Sequence, residues 1–312
     1  MTAIGQELRL RSPGKINLVL RVLGVRPDGF HELDTTLVAI DREDELVLRL
    51  EPPEGVRIAI EGPFASSDVP ADGSNLAARA GAAVLERSRG RGLAPRGLGL
   101  TLALRKNLPS QAGLGGGSSN AAAVLLGTSR LLGLDPGDPE LRAVLSSLGS
   151  DCPFFLEARA SGFARCLGRG EHVEPLPAPG TERAFAVIVP EFGCATARVY
   201  AALRPQDFST RRGAGGGFRF EAPIDEARAQ IQNDLEAAAL RSHPELARVR
   251  ADLDRIGAGH FRLCGSGSSF FGLFEDRTRA GEFLRERIIA RKGRGYALRA
   301  TFVARPRPGE VS

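Results

Sequence analysis

The residues whose types could do chemistry fall in four short segments. The first is Gly113-Leu114-Gly115-Gly116-Gly117-Ser118-Ser119-Asn120, between a run that alternates like a strand and one that reads as a helix. Glycines permit the positive-φ turns that let backbone N–H groups converge, and a helix N-terminus behind them adds roughly half a positive charge. Together these make a site for phosphate oxygens, with Ser118 and Ser119 offering hydroxyls to a phosphate or its Mg²⁺. The segment is not a Walker A loop, since no Lys follows the glycines, and it lacks the third glycine of the dinucleotide fingerprint. Taken alone it specifies an anion site.

The second segment is Ser12-Pro13-Gly14-Lys15-Ile16-Asn17-Leu18, followed by Arg26-Pro27-Asp28-Gly29-Phe30-His31. The third, Gly149-Ser150-Asp151-Cys152-Pro153-Phe154-Phe155, sets an aspartate against apolar surface, and carboxylates near such surface usually serve a purpose. The fourth, Leu263-Cys264-Gly265-Ser266-Gly267-Ser268-Ser269, is a second glycine-rich turn. Each has an ordinary structural reading as well: an edge strand, a hydrogen-bonded surface histidine, a turn-forming aspartate, a flexible turn. Of 42 basic residues only Lys15, Lys106 and Lys292 are lysines. Where a chain so rich in arginine keeps a lysine, a compact ammonium is the group chemistry needs, because a planar guanidinium does not replace it. Asparagines are also few: Asn17, Asn75, Asn107, Asn120 and Asn233. Lys15 pairs with Asn17 in sequence, Lys106 with Asn107, and Asn120 closes the glycine loop.

The elements that must position these groups follow from periodicity. From Lys15 to Val25, Ile16, Leu18, Leu20 and Val22 share one face, while Lys15 and Asn17 share the other. Arg26-Pro27-Asp28-Gly29 is a turn. Strands are expected at Thr35–Ile40, Glu45–Leu50, Val56–Ile60 and Gly97–Lys106. Asp72-Gly73-Ser74-Asn75 caps a helix from Leu76 to Arg87, and further helices are expected at Asn120–Leu132 and Pro139–Leu148. Pro175-Leu176-Pro177-Ala178-Pro179-Gly180 reads as a linker and divides the chain into domains 1–178 and 179–312. Beyond it, strands are expected at Ala184–Val189, Phe261–Cys264, Ser269–Phe274 and Tyr296–Val303. Helices are expected at Ala195–Leu203, Asp225–Arg241, Glu245–Ile256 and Thr278–Ala290, and a mobile loop at Ser209–Gly217. Strands and helices do not alternate strictly, so the expected class is α+β.

Composition narrows the function classes. The chain has 312 residues, 42% hydrophobic and 25% charged, as in ordinary folded proteins. No apolar run approaches the roughly eighteen residues of a membrane span, and Met1–Arg11 lacks a signal-peptide core, so a cytoplasmic protein without membrane association is expected. Four scattered cysteines read as buried thiols. The net charge of +5 is spread over the chain without a basic block, and aromatics are scarce. A small polyphosphate ligand therefore fits better than nucleic acid. Nothing in the pattern specifies an oligomeric state.

In this order, the segments resemble the GHMP kinase superfamily. Pro109-Ser110-Gln111-Ala112-Gly113-Leu114-Gly115-Gly116-Gly117-Ser118-Ser119 matches its triphosphate loop, and the joint pattern runs nearly the whole chain. The match is closer still to members that phosphorylate the 2-hydroxyl of a cytidine diphosphate-linked methylerythritol in isoprenoid precursor biosynthesis. Other members act on mevalonate, homoserine or sugars, and an aromatic-His pair suits a planar base better than those acceptors. A non-catalytic RNA-binding protein is the remote alternative, without a basic cluster to support it. The resemblance implies a ribosomal-protein-S5-domain-2-like N-terminal domain and a ferredoxin-like C-terminal domain, with ATP, Mg²⁺ and a small-molecule alcohol between them. Asp151 matches the catalytic base and Lys15 its partner. Asn75, Leu76, Lys106, Pro109 and Gly113 to Ser119 match the ATP site, with Ser118 or Ser119 the candidates for Mg²⁺. Asn17, Phe30, His31, Thr196, Asn233, Asp234 and Gly265 match positions facing the acceptor. Phe30 stands where the family often has tyrosine, keeping a stacking face and losing a hydroxyl.

Overall fold

The computed structural model describes residues 5–210, 218–290 and 296–307. The chain begins with two long antiparallel strands, β1 (Glu7–Val25) and β2 (His31–Glu51), joined at the expected turn, where Gly29 takes φ +82°. β3 (Gly55–Glu61), helix α1 (Leu76–Gly90), β4 (Gly99–Arg105), α2 (Gly116–Leu132), α3 (Pro139–Leu148), α4 (Cys152–Glu157), β5 (Phe163–Gly168) and β6 (His172–Pro175) follow. Next come β7 (Ala184–Pro190), α5 (Thr196–Ala201), α6 (Ile224–Ala229), β8 (Gln232–Asn233), α7 (Leu235–Ser242) and α8 (Pro244–Arg255). β9 (Arg262–Leu263), β10 (Phe270–Phe274), α9 (Arg277–Phe283), which runs into a π-helical segment at Leu284–Ile289, and β11 (Leu298–Ala304) complete the described chain.

The first sheet has the order β3-β4-β2-β1-β8, with β5 and β6 continuing from the other half of β2. The second has the order β11-β7-β10-β9, which is fourth, first, third and second along its own stretch of chain, with helices after its first and third strands. That is the ferredoxin-like arrangement. Helix and sheet are mixed rather than alternating, as expected of an α+β chain.

Three apolar clusters hold these layers together. Leu46, Leu48, Leu100, Leu102 and Leu104 face α1 and α2 on one side of the first sheet. Leu246, Val249 and Leu253 of α8 join Ala186 and Ile188 of β7 in the second cluster. The third lies between the sheets, where Ile16, Leu18, Val38 and Ile40 meet Phe185, Val187, Phe271 and Leu273. β1 is therefore buried on both faces at its centre, which is why Lys15 and Asn17 are only 3% and 4% exposed. This layering puts a wide cleft between α2, α4 and the second sheet's loops.

Several expected boundaries shift, for tertiary reasons. Thr35–Ile40 and Glu45–Leu50 are one strand, because the charged residues between them find partners outside β2: Asp41 accepts from the Arg305 N–H at 2.8 Å and Asp44 is buried. α2 starts at Gly116 rather than Asn120, so the glycine-serine run forms its first turn, closed by Ser119 N–H donating to the Gly115 carbonyl at 2.9 Å. The helix expected over Asp225–Arg241 is broken. Gln232 and Asn233 instead pair in parallel with Val19 and Leu20 of β1, and this cross-chain pairing overrides a helix-compatible sequence. Residues 211–217 of the expected loop Ser209–Gly217, and Lys292, lie outside the described residues.

Candidate active site

The cleft encloses about 1180 Å³ and is lined by residues from all four segments singled out above. Pro109, Gly113, Leu114, Gly115, Gly116, Gly117 and Ser118 form one wall. Gly113 and Gly115 both adopt left-handed backbone, with φ +75° and +71°. A Cβ on Gly113 would lie 1.9 Å from the Cys264 carbonyl oxygen, so the loop can lie against the Gly265 turn only with glycine there. The loop leads into the N-terminus of a seventeen-residue helix that borders the cleft, a place suited to phosphate. Asn75 and Leu76 line the same end; the Asn75 amide oxygen caps α1 by accepting from the Ala77 N–H at 3.0 Å.

The two candidate hydroxyls separate. Ser118 faces the cleft, whereas Ser119 is buried and accepts from the Ser12 hydroxyl at 2.7 Å. The expectation that either could face a metal therefore narrows to Ser118. Among the described residues no group of three or more His, Cys, Asp or Glu side chains converges as a metal cage would. The donor set suits a cation carried in on phosphate oxygens, with the Ser118 hydroxyl the candidate donor on the cleft wall.

Against the loop, Lys15 Nζ lies 3.3 Å from Asp151 Oδ2 and donates to Asn17 Oδ1 at 2.6 Å and to the Gly113 carbonyl at 2.7 Å. The two-residue strand spacing brings Lys15 and Asn17 together, as expected. Asn17 in turn donates to the Thr35 hydroxyl at 3.0 Å, which donates to the Val19 carbonyl. Every rotor around the ammonium is thus fixed. Asp151 sits at the start of α4 with about a third of its side chain open to the cleft. An ammonium, a carboxylate open to the cleft and the phosphate-type loop meet at one point.

Lys106 is also buried, and its ammonium pairs with Asp44, a fully buried carboxylate that no motif singled out. It stands in the charged run Asp41-Arg42-Glu43-Asp44-Glu45, between two expected strands, where nothing local marks one acid for burial.

At the far end, Phe30 is half exposed, and the Arg169 guanidinium stands 4.4 Å from its ring centroid. His31 packs against Tyr200 with centroids 5.0 Å apart, and burial lowers its pKa below the ordinary 6.5. Tyr200 and Arg169, both absent from the sequence reading, line the cleft. Aromatic residues in an irregular helical run carry no local sign of the histidine they will meet. Thr196 and Gly265 line it too, with the Thr196 and Ser266 hydroxyls 2.9 Å apart.

Asn233 and Asp234 do not line the cleft. The Asn233 amide donates to the carbonyls of Leu263 and Gly265 at 2.7 and 2.8 Å, and so holds the Gly265 turn in place. Asp234 accepts from the Val22 N–H, the Ser209 hydroxyl and the Gln232 amide, which tie β8 to β1. Their expected contact with the acceptor is corrected to a supporting one: both side chains already have partners within the protein.

Comparisons with known proteins identify the family. Residues 75–158 match the GHMP kinases N terminal domain and residues 219–289 the GHMP kinases C terminal domain. The 4-diphosphocytidyl-2-C-methyl-D-erythritol kinase of Solibacter usitatus is 38% identical, with 90% of this chain and 86% of that protein covered. The enzyme of that name from Acaryochloris marina is 35% identical over 87% of this chain and 88% of its own length. A crystal structure of 4-(cytidine 5'-diphospho)-2C-methyl-D-erythritol kinase superposes with a TM-score of 0.67 at 35% identity, covering 95% of this chain and 98% of that one. The chain belongs to the GHMP kinases, ATP-dependent phosphotransferases, and within them to the 4-diphosphocytidyl-2-C-methyl-D-erythritol kinase family.

Proposed function

We propose that the protein transfers the γ-phosphoryl group of ATP to the 2-hydroxyl of 4-diphosphocytidyl-2-C-methyl-D-erythritol, a step of non-mevalonate isoprenoid precursor biosynthesis. The observation that carries this reading is the meeting of Lys15, Asp151 and the Gly113 carbonyl in one cleft, beside a helix N-terminus built for phosphate. Family membership supports the choice of acceptor.

Phosphoryl transfer passes through a loose transition state with charge on the equatorial oxygens, so positioning and electrostatics carry most of the catalysis. Asp151 accepts the proton of the attacking hydroxyl. Lys15, held by Asn17 and Gly113, places a concentrated positive charge where the alkoxide develops. The loop amides from Gly113 to Ser118 bind the triphosphate. Mg²⁺ carried in on the nucleotide would neutralise phosphate charge, and Ser118 is the residue that would face it. Asn75 and Leu76 border the adenine, while Phe30, His31 and Tyr200 form an aromatic wall for the planar base. Four buried free cysteines suit a reducing compartment, and we place the enzyme in the cytoplasm.

Incubating the purified chain with ATP and a panel of alcohols tests the reading. The cytidine diphosphate-linked methylerythritol is expected to be phosphorylated in preference to mevalonate, homoserine and sugars. A preference for mevalonate or homoserine would overturn the assignment.

A further inference from the structure

We propose that Asp44 is a positioning residue for the nucleotide: its buried carboxylate, through Lys106 and Asn120, sets the triphosphate loop in its phosphate-binding shape. This rests on the reading that the loop binds ATP, and on nothing about the acceptor.

Asp44 is completely buried, yet it accepts from four donors. Oδ1 takes the backbone N–H groups of Asn107 and Leu108 at 2.7 and 2.8 Å, while Oδ2 takes the Asn120 amide at 3.1 Å and the Lys106 ammonium. These donors belong to the exit of β4 and the second turn of α2, the two ends between which the glycine loop hangs. Gly116, the first residue of α2, rests directly on the cluster. A Cβ there would lie 3.2 Å from Lys106 Nζ, 3.4 Å from Leu108 Cβ and 3.5 Å from Asp44 Oδ2.

Stability alone does not account for the cluster. A buried ion pair is a weak stabiliser, since desolvation offsets much of its attraction. Asn120 is less economical still: its amide donates to Asp44 while its buried Oδ1 has no hydrogen-bond partner among the described residues. An orphaned buried acceptor is costly, and an alanine in mid-helix would avoid it. What the amide achieves is to hold the first turns of α2 at a fixed distance from Asn107 and Leu108. Lys106 lines the cleft with Asn75 and Leu76, and its ammonium, paired with Asp44, also supports Gly116.

Two variants test this with a non-hydrolysable ATP analogue, titrated calorimetrically, alongside steady-state kinetics and thermal unfolding. Asn120→Ala removes one donor without adding bulk, and is expected to raise the analogue's Kd and the KM for ATP by ~5-fold, leaving the KM for the alcohol within ~2-fold. The double variant Asp44→Asn with Lys106→Met removes the ion pair while keeping an amide oxygen to accept from the Asn107 and Leu108 N–H groups, and is expected to raise the same Kd by ~10-fold or more. Wild-type affinity for the analogue in either folded variant overturns the proposal. So does a loss of affinity for both substrates in step with a lowered Tm, which marks a purely structural cluster. If the unmodified enzyme binds the analogue but ignores the cytidine-linked alcohol, the proposed acceptor fails and this inference stands.

Discussion

A Cβ on Gly115 would lie 2.8 Å from Cγ of Lys15 and 3.1 Å from its Cε. The glycine at the start of the phosphate-type helix and the lysine beside Asp151 therefore lie against each other, and a side chain added at Gly115 must displace Lys15. Gly115 also takes φ +71°, where an alanine costs roughly 1–2 kcal/mol. We expect Gly115→Ala to leave a folded protein with turnover reduced by ~10²-fold through displacement of Lys15. Steady-state kinetics with thermal unfolding checks this, and near-normal turnover would show that the ammonium tolerates the shift.

Lys15→Ala and Asp151→Asn are each expected to cut turnover by ~10²-fold or more, with ATP affinity nearly unchanged. Lys15→Arg should not rescue, because Asn17 Oδ1 and the Gly113 carbonyl hold a compact ammonium at 2.6 and 2.7 Å that a planar fork cannot match. Either residue would lose its catalytic assignment if its variant turned over normally.

The aromatic wall should act on the acceptor alone. Phe30→Ala and Tyr200→Ala are expected to raise the acceptor KM by ~10-fold, with the KM for ATP unchanged, since stacking on a base is worth roughly 1–3 kcal/mol. Parallel titration of both substrates reads the split. A rise in the ATP KM would place the nucleotide, rather than the acceptor, at this end of the cleft.

Acid should weaken the fold before carboxylates begin to protonate. Burial lowers the pKa of His31, His243 and His260, the last to about 4, with Arg228, Arg262 and Arg250 nearby adding to the effect. A depressed histidine pKa means that the unfolded chain takes up protons the folded chain refuses. Stability is therefore fully retained above roughly pH 6.5 and falls as the pH drops toward 4. The lowered carboxylates, such as Asp138 and Asp207, keep their stabilising contribution above their unfolded values, near 4, and lose it only as the pH falls below them. His260→Leu, at a site bordered by Phe261, Phe274 and Phe283, is expected to flatten this limb in Tm measurements between about pH 6.5 and 4.5. An unchanged limb would assign it to the other histidines.

Much of the site was legible because its chemistry is local. Lys15 and Asn17 share a strand face at a spacing of two, and the glycine loop precedes a helix, so both announce themselves within ten residues. The broken helix at Gln232–Asn233 was not legible. Its residues suit a helix, and only pairing with β1, more than 200 residues away in the chain, decides otherwise.

By itself, then, the sequence determined the α+β class, the phosphate loop, the lysine and aspartate that meet beside it, and the family. These depend on short-range backbone preferences and on residue types in a fixed order. Tertiary structure alone decided that Ser118 rather than Ser119 faces the cleft, that Asn233 supports a turn and Asp234 ties β8 to β1, that Tyr200 meets His31, and that Asp44 lies beneath Gly116. Asp44 and Lys106 are 62 residues apart. A buried charge is defined by the donors folding brings to it, and no periodicity along the chain encodes which donors those will be.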